Sequence, residues 1–470
     1  MLALASALAL GVSACSGGEA ETENPQAAPA RSTETQAPAE PEAPPPPPAR
    51  VLVVDGDTSK PVRSARVALP RQSARAGGNG VVTLAVSRKR PVRVRVSAPG
   101  YAPRTVRLAL REGRTRKVLL WRGALQWTMF GANSARTQVH SGIRLRPPFR
   151  VVWRRDLHAL LEFPAVVWEG VAYVNNIKGW LRAISMKNGR VLWRKRLGTQ
   201  MASSPAIDPE RRVLVATTMV PGTVTVVSMD TGRIRWRYQT GARVEPSPVI
   251  RDGVAYFGAE NGNVYALDLD RRRPRWIFRG GVKITSSPAL VGNRLYFGDY
   301  AGRVFALNAR TGGRVWTGSA GGRVYGTVAV AGGRVLAPSV FSGLSALSAR
   351  TGRLLWRVPV GAYLYSSPAV FRGRVYFGTY AGLVYCVDAA SGRVLWTRPA
   401  NGRVSGAVQV VAGVVYAASL EDHTTGWHWR TGRTLWMFPH GEYVPVSGNG
   451  ARLLFHGRRH IWAVEPKRRR

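Results

Sequence analysis

Short apolar segments alternate with glycine-rich turns over the C-terminal three-quarters of the chain, in a unit that recurs about every 40 residues. Each unit contains an apolar strand, a Gly turn, an apolar-aromatic strand, a second Gly turn, a third strand, a Thr-Gly-Arg turn and a final strand. The clearest copies cover residues 286–316 and 366–396. A period near 40 residues with four strands per unit is typical of a β-propeller. We therefore predict an all-β fold of this kind.

One tryptophan stands on the final strand of each unit, and six of the seven intervals between these tryptophans are 40 residues while one is 43. An identical large aromatic in every unit is expected where each unit buries the same spot against its neighbour. We therefore interpret all eight as structural residues that dock one blade on the next. They are Trp153, Trp193, Trp236, Trp276, Trp316, Trp356, Trp396 and Trp436.

The number of strands predicts eight blades, the last of which is split between the two ends of the propeller. Seven complete units end at Trp193 through Trp436, and three more strands follow. A lone strand over residues 149–153 precedes the first unit, and pairing it with the last three removes both free sheet edges. The segment that contains residues 127–131 and 136–137 should cross the propeller before that lone strand.

A second, smaller β-domain is predicted upstream, over residues 50–121. Valines alternate with arginines over residues 92–96, which indicates a strand with one buried and one basic face. An opening Asp-x₅-Pro-Val-x-x-Ala-x-Val at residues 55–67, a Gly-rich turn at 77–80 and Pro-Gly-Tyr at 99–101 complete the pattern. These motifs resemble the carboxypeptidase-regulatory-like sandwich, and the resemblance implies a spacer or adhesive module without chemistry.

The N-terminus reads as an export signal followed by a tether. Residues 2–14 are apolar but too few to span a bilayer comfortably, and they lead into Val-Ser-Ala-Cys, which resembles a bacterial lipobox. The resemblance implies cleavage before Cys15 and lipidation of that residue, whereas an ordinary signal cleavage would leave Cys15 incidental. The predicted domains are the signal and lipobox (1–15), a disordered Pro/Ala/Glu-rich tether (16–49), the sandwich (50–121) and the propeller (122–470).

The propeller repeat resembles the quinoprotein-dehydrogenase-like family with pyrroloquinoline quinone (PQQ) repeats, whose hallmark is Ala-x-Asp-x-x-Thr-Gly-x-x-x-Trp. Residues 266–268, 306–312, 346–352 and 231–232 carry parts of this motif. The resemblance implies an eight-bladed ring in which each Trp docks on a neighbouring blade. It also implies either a PQQ-dependent dehydrogenase or a non-enzymatic branch similar to the propeller lipoprotein of the outer-membrane β-barrel assembly machine.

The residues that a dehydrogenase would need are not gathered in any motif. Enzymes of that family hold the quinone and Ca²⁺ with acidic residues over the channel, often beside a Cys-Cys pair, and calcium requires several oxygen ligands. The two cysteines, Cys15 and Cys386, are far apart in sequence, and the histidines show no metal-ligand spacing. We predict no catalytic, cofactor or metal residue, and PQQ with Ca²⁺ stays an alternative. The acidic candidates come from different blades: Glu245, Glu260, Asp299, Glu421, Asp422 and Glu442.

The formal net charge of +42 comes almost entirely from arginine. Arg stands three residues before the Trp in seven repeats, and the first hairpin turns are also basic, so we predict one basic face and an opposite face that is more neutral and aromatic. The aromatic face is expected to carry Asn261, Tyr300, Phe341 and Tyr380. A solvated surface written by a GC-rich genome is the alternative explanation of the charge. The basic face is predicted from Arg150, Arg190, Arg233, Arg273, Arg353, Arg393 and Arg433.

These patterns together predict an extracytoplasmic, membrane-anchored lipoprotein whose propeller is a non-catalytic binding or scaffold module. We expect a monomer whose partners are the membrane, through its lipid, and an envelope protein or an anionic polymer; we do not expect nucleic acid. A PQQ-dependent dehydrogenase and a polysaccharide-binding surface protein are the alternatives.

Overall fold

The computed structural model describes residues 47–86 and 90–467, which contain forty β-strands and one short 3-10 helix, Gly123–Leu125. The predicted signal segment, the lipobox with Cys15 and all but the end of the tether lie outside these residues. Within them, no helix has the length and apolar character needed to cross a membrane.

The N-terminal strands form a small sandwich of two sheets, as the sequence predicts. One sheet has the order β4-β1-β7, with β1 antiparallel to β4 and parallel to β7, and the other has the order β3-β2-β5-β6. The alternation over residues 92–96 is realised, because Val94 and Val96 are fully buried while Arg93 and Arg95 are exposed. Membership of the carboxypeptidase-regulatory-like family stays a prediction. The strands are β1 (Ala49–Asp55), β2 (Arg66–Leu69), β3 (Gln72–Arg75), β4 (Val81–Leu84), β5 (Val92–Ser97), β6 (Arg104–Leu108) and β7 (Thr115–Leu120).

The remaining strands form eight antiparallel blades, and each of the first seven runs from an inner to an outer strand in chain order. Blades 1 to 3 are β10 (Val166–Trp168), β11 (Val171–Asn175), β12 (Trp180–Ser185), β13 (Val191–Arg196); β14 (Ala206–Asp208), β15 (Val213–Thr217), β16 (Thr223–Ser228), β17 (Ile234–Gln239); and β18 (Val249–Arg251), β19 (Val254–Gly258), β20 (Asn263–Asp268), β21 (Arg273–Arg279). Blades 4 and 5 are β22 (Ala289–Val291), β23 (Arg294–Gly298), β24 (Arg303–Asn308), β25 (Arg314–Ser319); and β26 (Ala329–Ala331), β27 (Arg334–Ser339), β28 (Gly343–Ser348), β29 (Leu354–Val358). Blades 6 and 7 are β30 (Ala369–Phe371), β31 (Arg374–Gly378), β32 (Leu383–Asp388), β33 (Val394–Pro399); and β34 (Gln409–Val411), β35 (Val414–Ser419), β36 (His423–His428), β37 (Thr434–Phe438).

The closing blade is split, which confirms the prediction. Its inner three strands come from the C-terminal end of the propeller, and its outer strand is β9, which precedes blade 1 in sequence. β40 and β9 pair antiparallel over their whole length, so the two ends of the propeller are joined in one sheet. Blade 8 contains β38 (Val446–Gly448), β39 (Leu453–His456), β40 (His460–Pro466) and β9 (Phe149–Asp156), while β8 (Val139–His140) pairs in parallel with β34 of blade 7.

The repeated tryptophans lie where the blades meet. In Trp316 the indole ring packs against Gly352 of the next blade, and its N–H donates to the carbonyl of Ala349 at 3.1 Å. The equivalent hydrogen bond is made by Trp153, Trp193, Trp276 and Trp356. The other three junctions lack this bond. The Trp396 ring packs on Gly432, but its N–H has no partner among the described residues. At the remaining two the glycine is replaced: Arg272 takes its place opposite Trp236, and Phe149 packs edge-on against Trp436 at 5.2 Å.

The hairpin geometry gives the ring two distinct faces. The first and last hairpin turns of each blade lie together, as the hydrogen bond from the Ala389 N–H to the Gly373 carbonyl shows, and we call this side the turn face. The middle turns and the connections between blades form the other side, the loop face, where the Tyr380 N–H donates to the carbonyl of Tyr363. The sandwich contacts the turn face at blade 1, where Arg104 lies 3.8 Å from the carboxylate of Glu169.

The segment between the sandwich and β9 lines the central channel, as the sequence predicts for a segment that crosses the propeller. Trp127 exchanges two backbone hydrogen bonds with Val167 of blade 1. Carbonyls further along the segment then accept from inner-strand N–H groups of other blades. The donor–acceptor pairs are Ile207–Thr128, Leu290–Ser134, Val330–Ala135, Val370–Thr137 and Val410–Gln138.

Arg136 fixes this segment inside the channel. Its side chain is fully buried and donates to the carbonyls of Ser247, Pro248 and Pro288 at 2.9–3.0 Å and to the carbonyl of Phe130. Burial lowers the pKa of the guanidinium to about 9. Backbone oxygens therefore stabilise this cation and close the channel between blades 3 and 4.

The blade contact predicts a large difference between two glycine substitutions in blade 5. Gly352 has a φ of +77°, and an added Cβ would lie 2.5 Å from the Trp316 ring, whereas Gly333 has a φ of +73° and no atom within 4 Å of the added Cβ. Both changes to Ala incur the left-handed backbone cost of about 1–2 kcal/mol. Gly352→Ala should lower the free energy of unfolding by at least about 1 kcal/mol more, because the ring must move. Urea unfolding of both variants measures this, and equal losses would show that the contact does not stabilise the blade junction.

Candidate binding surface

The connections between blades place side chains on the loop face in a regular way. Each connection carries one buried aliphatic residue, such as Val324 or Leu364, both of which are fully buried. Val324 packs against Gly298, at the end of the second strand of blade 4. Side chains alternate along extended backbone, so the residues on either side of the buried residue point outward. Tyr325, Tyr363 and Tyr365 occupy such positions.

These tyrosines join residues of the middle turns to form a continuous group of aromatic rings, the aromatic arc. Two of its members are strongly exposed for their size, Phe341 at 66% and Tyr363 at 48%. A contiguous exposed apolar patch of this kind is typical of a binding surface. Neighbouring ring centroids lie 5.4–6.4 Å apart along the arc, which contains Tyr300, Tyr325, Phe341, Tyr363, Tyr365 and Tyr380.

A groove and several cations accompany the arc. The groove has a volume of about 520 Å³ and lies between Phe341, Tyr363 and Tyr380. The cationic groups of Lys283 and Arg323 lie 5.1 and 4.9 Å from the Tyr300 ring, within range of a cation–π interaction. These cations fix the rings at the edge of the arc and leave the groove open to solvent.

Three glutamates surround the mouth of the channel beside the arc. Burial, together with the nearby carboxyls of Glu245 and Glu442, raises the pKa of Glu162 to about 7. Burial also raises the pKa of Glu245, although the Tyr325 hydroxyl, which donates to it at 3.1 Å, acts in the opposite direction. The mouth is therefore a weakly charged acidic site on a strongly basic protein.

The channel mouth does not fit a quinone held by calcium. The cavity there has a volume of about 80 Å³, whereas small-molecule sites typically occupy about 300–1,000 Å³. Phe130, which belongs to the segment fixed by Arg136, lines the cavity. Calcium also needs ionised carboxylates, and the raised pKa values of the three glutamates oppose ionisation.

The other acidic residues named from the sequence are distributed among separate ion pairs. Their partners are cations of the loop face, and in the described ranges 47–86 and 90–467 no His, Cys, Asp and Glu side chains converge to hold a metal ion. The pairs are Glu260 with Arg243 and Lys283, Asp299 with Arg303, Glu421 with Arg403, and Asp422 with His440.

The arginines predicted to form a basic face all lie exposed in or beside the last hairpin turns, on the turn face. Arg150 binds Glu465 of its own blade. Among the described residues, the other six have no carboxylate within 4 Å: Arg190, Arg233, Arg273, Arg353, Arg393 and Arg433. Their role in binding stays a prediction.

Of the four residues predicted for the aromatic face, Tyr300, Phe341 and Tyr380 belong to the arc. The fourth, Asn261, hydrogen-bonds locally to Tyr265. Tyr363 and Tyr365 are not among the residues predicted from the sequence, although the Tyr-Leu-Tyr spacing at one blade connection could have indicated them. Glu162 is not among them either, because the connection from blade 8 to blade 1 does not follow the repeat.

The raised pKa of Glu162 predicts a pH-dependent stability. The folded protein keeps this carboxyl protonated up to about pH 7, while the unfolded chain ionises near the ordinary value of 4.5. Stability is therefore full below pH 4.5 and is lost as the pH rises toward 7. Between pH 4.5 and 7.5 the free energy of unfolding of the wild type should fall by an amount of the order of 2 kcal/mol because of this carboxyl. Glu162→Gln should not show this fall. Denaturant unfolding at both pH values measures this, with Glu210→Gln, an exposed carboxyl of the turn face, as the control. An unchanged pH dependence in Glu162→Gln would contradict the assignment.

Known structures with a similar fold include a BamB, an alcohol dehydrogenase and a designed protein. BamB from Moraxella catarrhalis superimposes with a TM-score of 0.58 at 16% identity, covering 69% of this chain and 99% of that one. Quinohemoprotein alcohol dehydrogenase from Comamonas testosteroni gives 0.62 at 13% identity, with 73% and 81% covered. The computationally designed Ika8 protein gives 0.60 at 12% identity, with 67% and 98% covered. At these identities the likeness concerns the fold alone.

Sequence comparison identifies the family. A search of curated proteins found no match. The PQQ_2 family model, described as outer membrane protein assembly factor BamB, matches residues 149–278, 260–344 and 340–461, which together cover most of the propeller. The chain therefore belongs to this PQQ-repeat β-propeller family.

Proposed function

We propose that this protein is an extracytoplasmic binding or scaffold propeller that receives an envelope protein on its loop face, at the aromatic arc. The observation that carries the proposal is the exposure of Phe341 and Tyr363 beside an open groove. Tyr and Arg are the side chains that most often dominate the energy of protein interfaces, and Arg323 and Arg403 flank the arc.

The family and the N-terminal sequence support the proposed location. The family description names an outer membrane protein assembly factor, which favours a place in the cell envelope. The lipobox-like sequence ending at Cys15 supports a lipid anchor, and the Pro-rich tether would hold the folded part away from the membrane surface.

A dehydrogenase is the second candidate, because a quinohemoprotein alcohol dehydrogenase shares the fold. The channel mouth argues against it, since its cavity of about 80 Å³ is small and is lined by the crossing segment. We expect the purified protein, incubated with PQQ and Ca²⁺ and then desalted, to retain no quinone absorbance and to oxidise no alcohol with an artificial electron acceptor. Retention of one quinone per chain would favour the enzyme instead.

Removal of the aromatic arc should abolish partner binding without unfolding the propeller. The triple variant Phe341→Ala, Tyr363→Ala, Tyr380→Ala removes three rings of the arc. The matched control is Leu192→Ala, Leu355→Ala, Met437→Ala, because these residues are similarly exposed on outer strands. Cross-linking in intact envelopes, followed by mass spectrometry, identifies proteins captured by the wild type and by the control.

The strongest such partner, once purified, should bind the arc variant at least about thirtyfold more weakly, because each central aromatic contributes about 2 kcal/mol or more to an interface. Both variants should unfold at the temperature of the wild type. Capture of the same proteins by the arc variant would refute the arc as the binding surface. Retention of the wild type on a neutral polysaccharide, lost in the arc variant, would favour the polysaccharide-binding alternative.

A further inference from the structure

Acidic residues are distributed unevenly around the turn face. Near the sandwich, arginines of the turns are neutralised: Arg211 pairs with Asp208 and Asp270, and Arg212 pairs with Glu169 and Asp230. Between Asp299 and Glu421, by contrast, the sequence contains a single acidic residue, Asp388. The Oδ1 atom of Asp388 accepts hydrogen bonds from the Ala390 N–H and from the N–H and hydroxyl of Ser391 in its own turn.

The turn-face arginines of blades 4 to 6 therefore lack counterions within the described part of the chain. Those that are exposed there include Arg310, Arg314, Arg350, Arg353, Arg372 and Arg393. An excess of one charge over a whole sector attracts anions but does not by itself form a specific site.

A groove is present where this sector meets the segment that leaves the channel. It has a volume of about 470 Å³ and lies between the first turn of blade 6, the turns of blade 7 and the residues after β8. Its lining includes three arginines and two large aromatic rings, and none of its lining residues is acidic. We call it the arginine groove and define it by Arg144, Arg146, Phe371, Arg372, Gly413 and Trp429.

Aromatic rings hold one of the three guanidinium groups. The Arg372 guanidinium lies 5.3 Å from the Phe371 ring and 5.5 Å from the Trp429 ring, and the two rings are nearly perpendicular. Among the described residues its N–H groups have no hydrogen-bond acceptor. Stacking fixes a guanidinium plane while leaving its edge free to donate.

The second guanidinium is fixed by the backbone. The Arg146 Nε donates to the carbonyl of Ala412 at 2.6 Å, so both terminal nitrogens remain available. Gly413 has a φ of +75°, and an added Cβ would lie 3.1 Å from both Arg146 and Trp429. A glycine at this turn therefore allows the cation and the ring to approach each other.

The third arginine, Arg144, and a neighbouring histidine, His140, also line the groove. Arg144 is exposed and makes no ion pair in the described residues. The Nε2 of His140 contacts the Gln126 carbonyl, its Nδ1 accepts from Ile143, and burial lowers its pKa. The positive charge of the groove therefore comes from arginine alone and does not change near neutral pH.

A second hollow extends the groove beyond Arg146. It has a volume of about 670 Å³ and is lined by Pro147, Pro148 and Leu435, with Lys467 at its edge. Guanidinium groups bind phosphate oxygens in pairs of parallel hydrogen bonds, while proline and leucine offer an apolar surface to the rest of a ligand.

We propose that the arginine groove binds the phosphate group of an ester, whose remaining part lies along the adjoining hollow. The ester is either a phospholipid headgroup at a membrane surface or a soluble phosphate ester. Because the groove lies on the turn face, this site is separate from the aromatic arc on the loop face, and the propeller can bind both ligands together.

Two charge-matched variants of the full chain test the proposal. The groove variant is Arg144→Gln, Arg146→Gln, Arg372→Gln, and the control is Arg310→Gln, Arg350→Gln, Arg353→Gln, which removes the same charge from the same face. The lipid arm measures sedimentation with phosphatidylglycerol vesicles and with phosphatidylcholine vesicles. The soluble arm measures calorimetric titration with glycerol 3-phosphate. Thermal unfolding checks that both variants fold. If the groove variant does not fold, the double variant Arg144→Gln, Arg372→Gln replaces it, because this variant keeps the Arg146 contact with Ala412.

We expect the groove variant to lose at least about tenfold in affinity, since a hydrogen bond to a charged group contributes about 1.5–3 kcal/mol and 1.4 kcal/mol is tenfold. The control should change little, apart from a weaker salt dependence. Loss confined to phosphatidylglycerol vesicles identifies a lipid ligand, and loss confined to glycerol 3-phosphate identifies a soluble one. Equal weakening in the two variants, or no binding by the wild type in either arm, would overturn the proposal.

Discussion

The contact between an indole ring and the next blade is the constraint on which the propeller depends. A four-stranded blade buries its faces only against its neighbours, so each junction must be closed by a large side chain for the ring to close. The Trp316 ring does so by packing on Gly352 and donating its N–H to Ala349. A left-handed glycine favours this contact because an added Cβ at residue 352 would lie 2.5 Å from the ring. The recurrence of a tryptophan about every 40 residues reflects this geometry.

Closure by this contact leaves most of the two faces free to differ. The turns supply the glycine and the carbonyl of the junction, but their other side chains are mostly exposed and can change without opening the ring. The turn face has accumulated arginines, which acidic residues balance near the sandwich but not in blades 4 to 6. The loop face instead carries the aromatic arc, and several of its cations lie in ion pairs. Within the described residues, the unpaired arginines of blades 4 to 6 leave positive charge unbalanced on the turn face of that sector.

The sequence predicts the parts of this structure that repeat and misses those that closure of the ring creates. The period, the split blade and the alternation in the sandwich follow from local patterns, and the structure confirms them. The arginine groove joins Arg144, Arg372 and Trp429, which are far apart in sequence and meet only because β8 lies beside the inner strand of blade 7. The same is true of Glu162, whose pKa is raised by burial and by Glu245 and Glu442 from other connections. Spacing within one repeat contains no information about such contacts.

The segment that carries Arg136 occupies the central channel, where its hydrogen bonds reach the inner strands of several blades. A desolvated guanidinium is costly to bury, and it is tolerated here because it binds four backbone carbonyls from three parts of the chain. Among the described residues these carbonyls have no other charged donor. Moving the segment out of the channel would leave both the cation and the oxygens unpaired, so the Arg136 hydrogen bonds stabilise its position there. The aromatic arc and the arginine groove lie outside the channel, on the two faces of the ring.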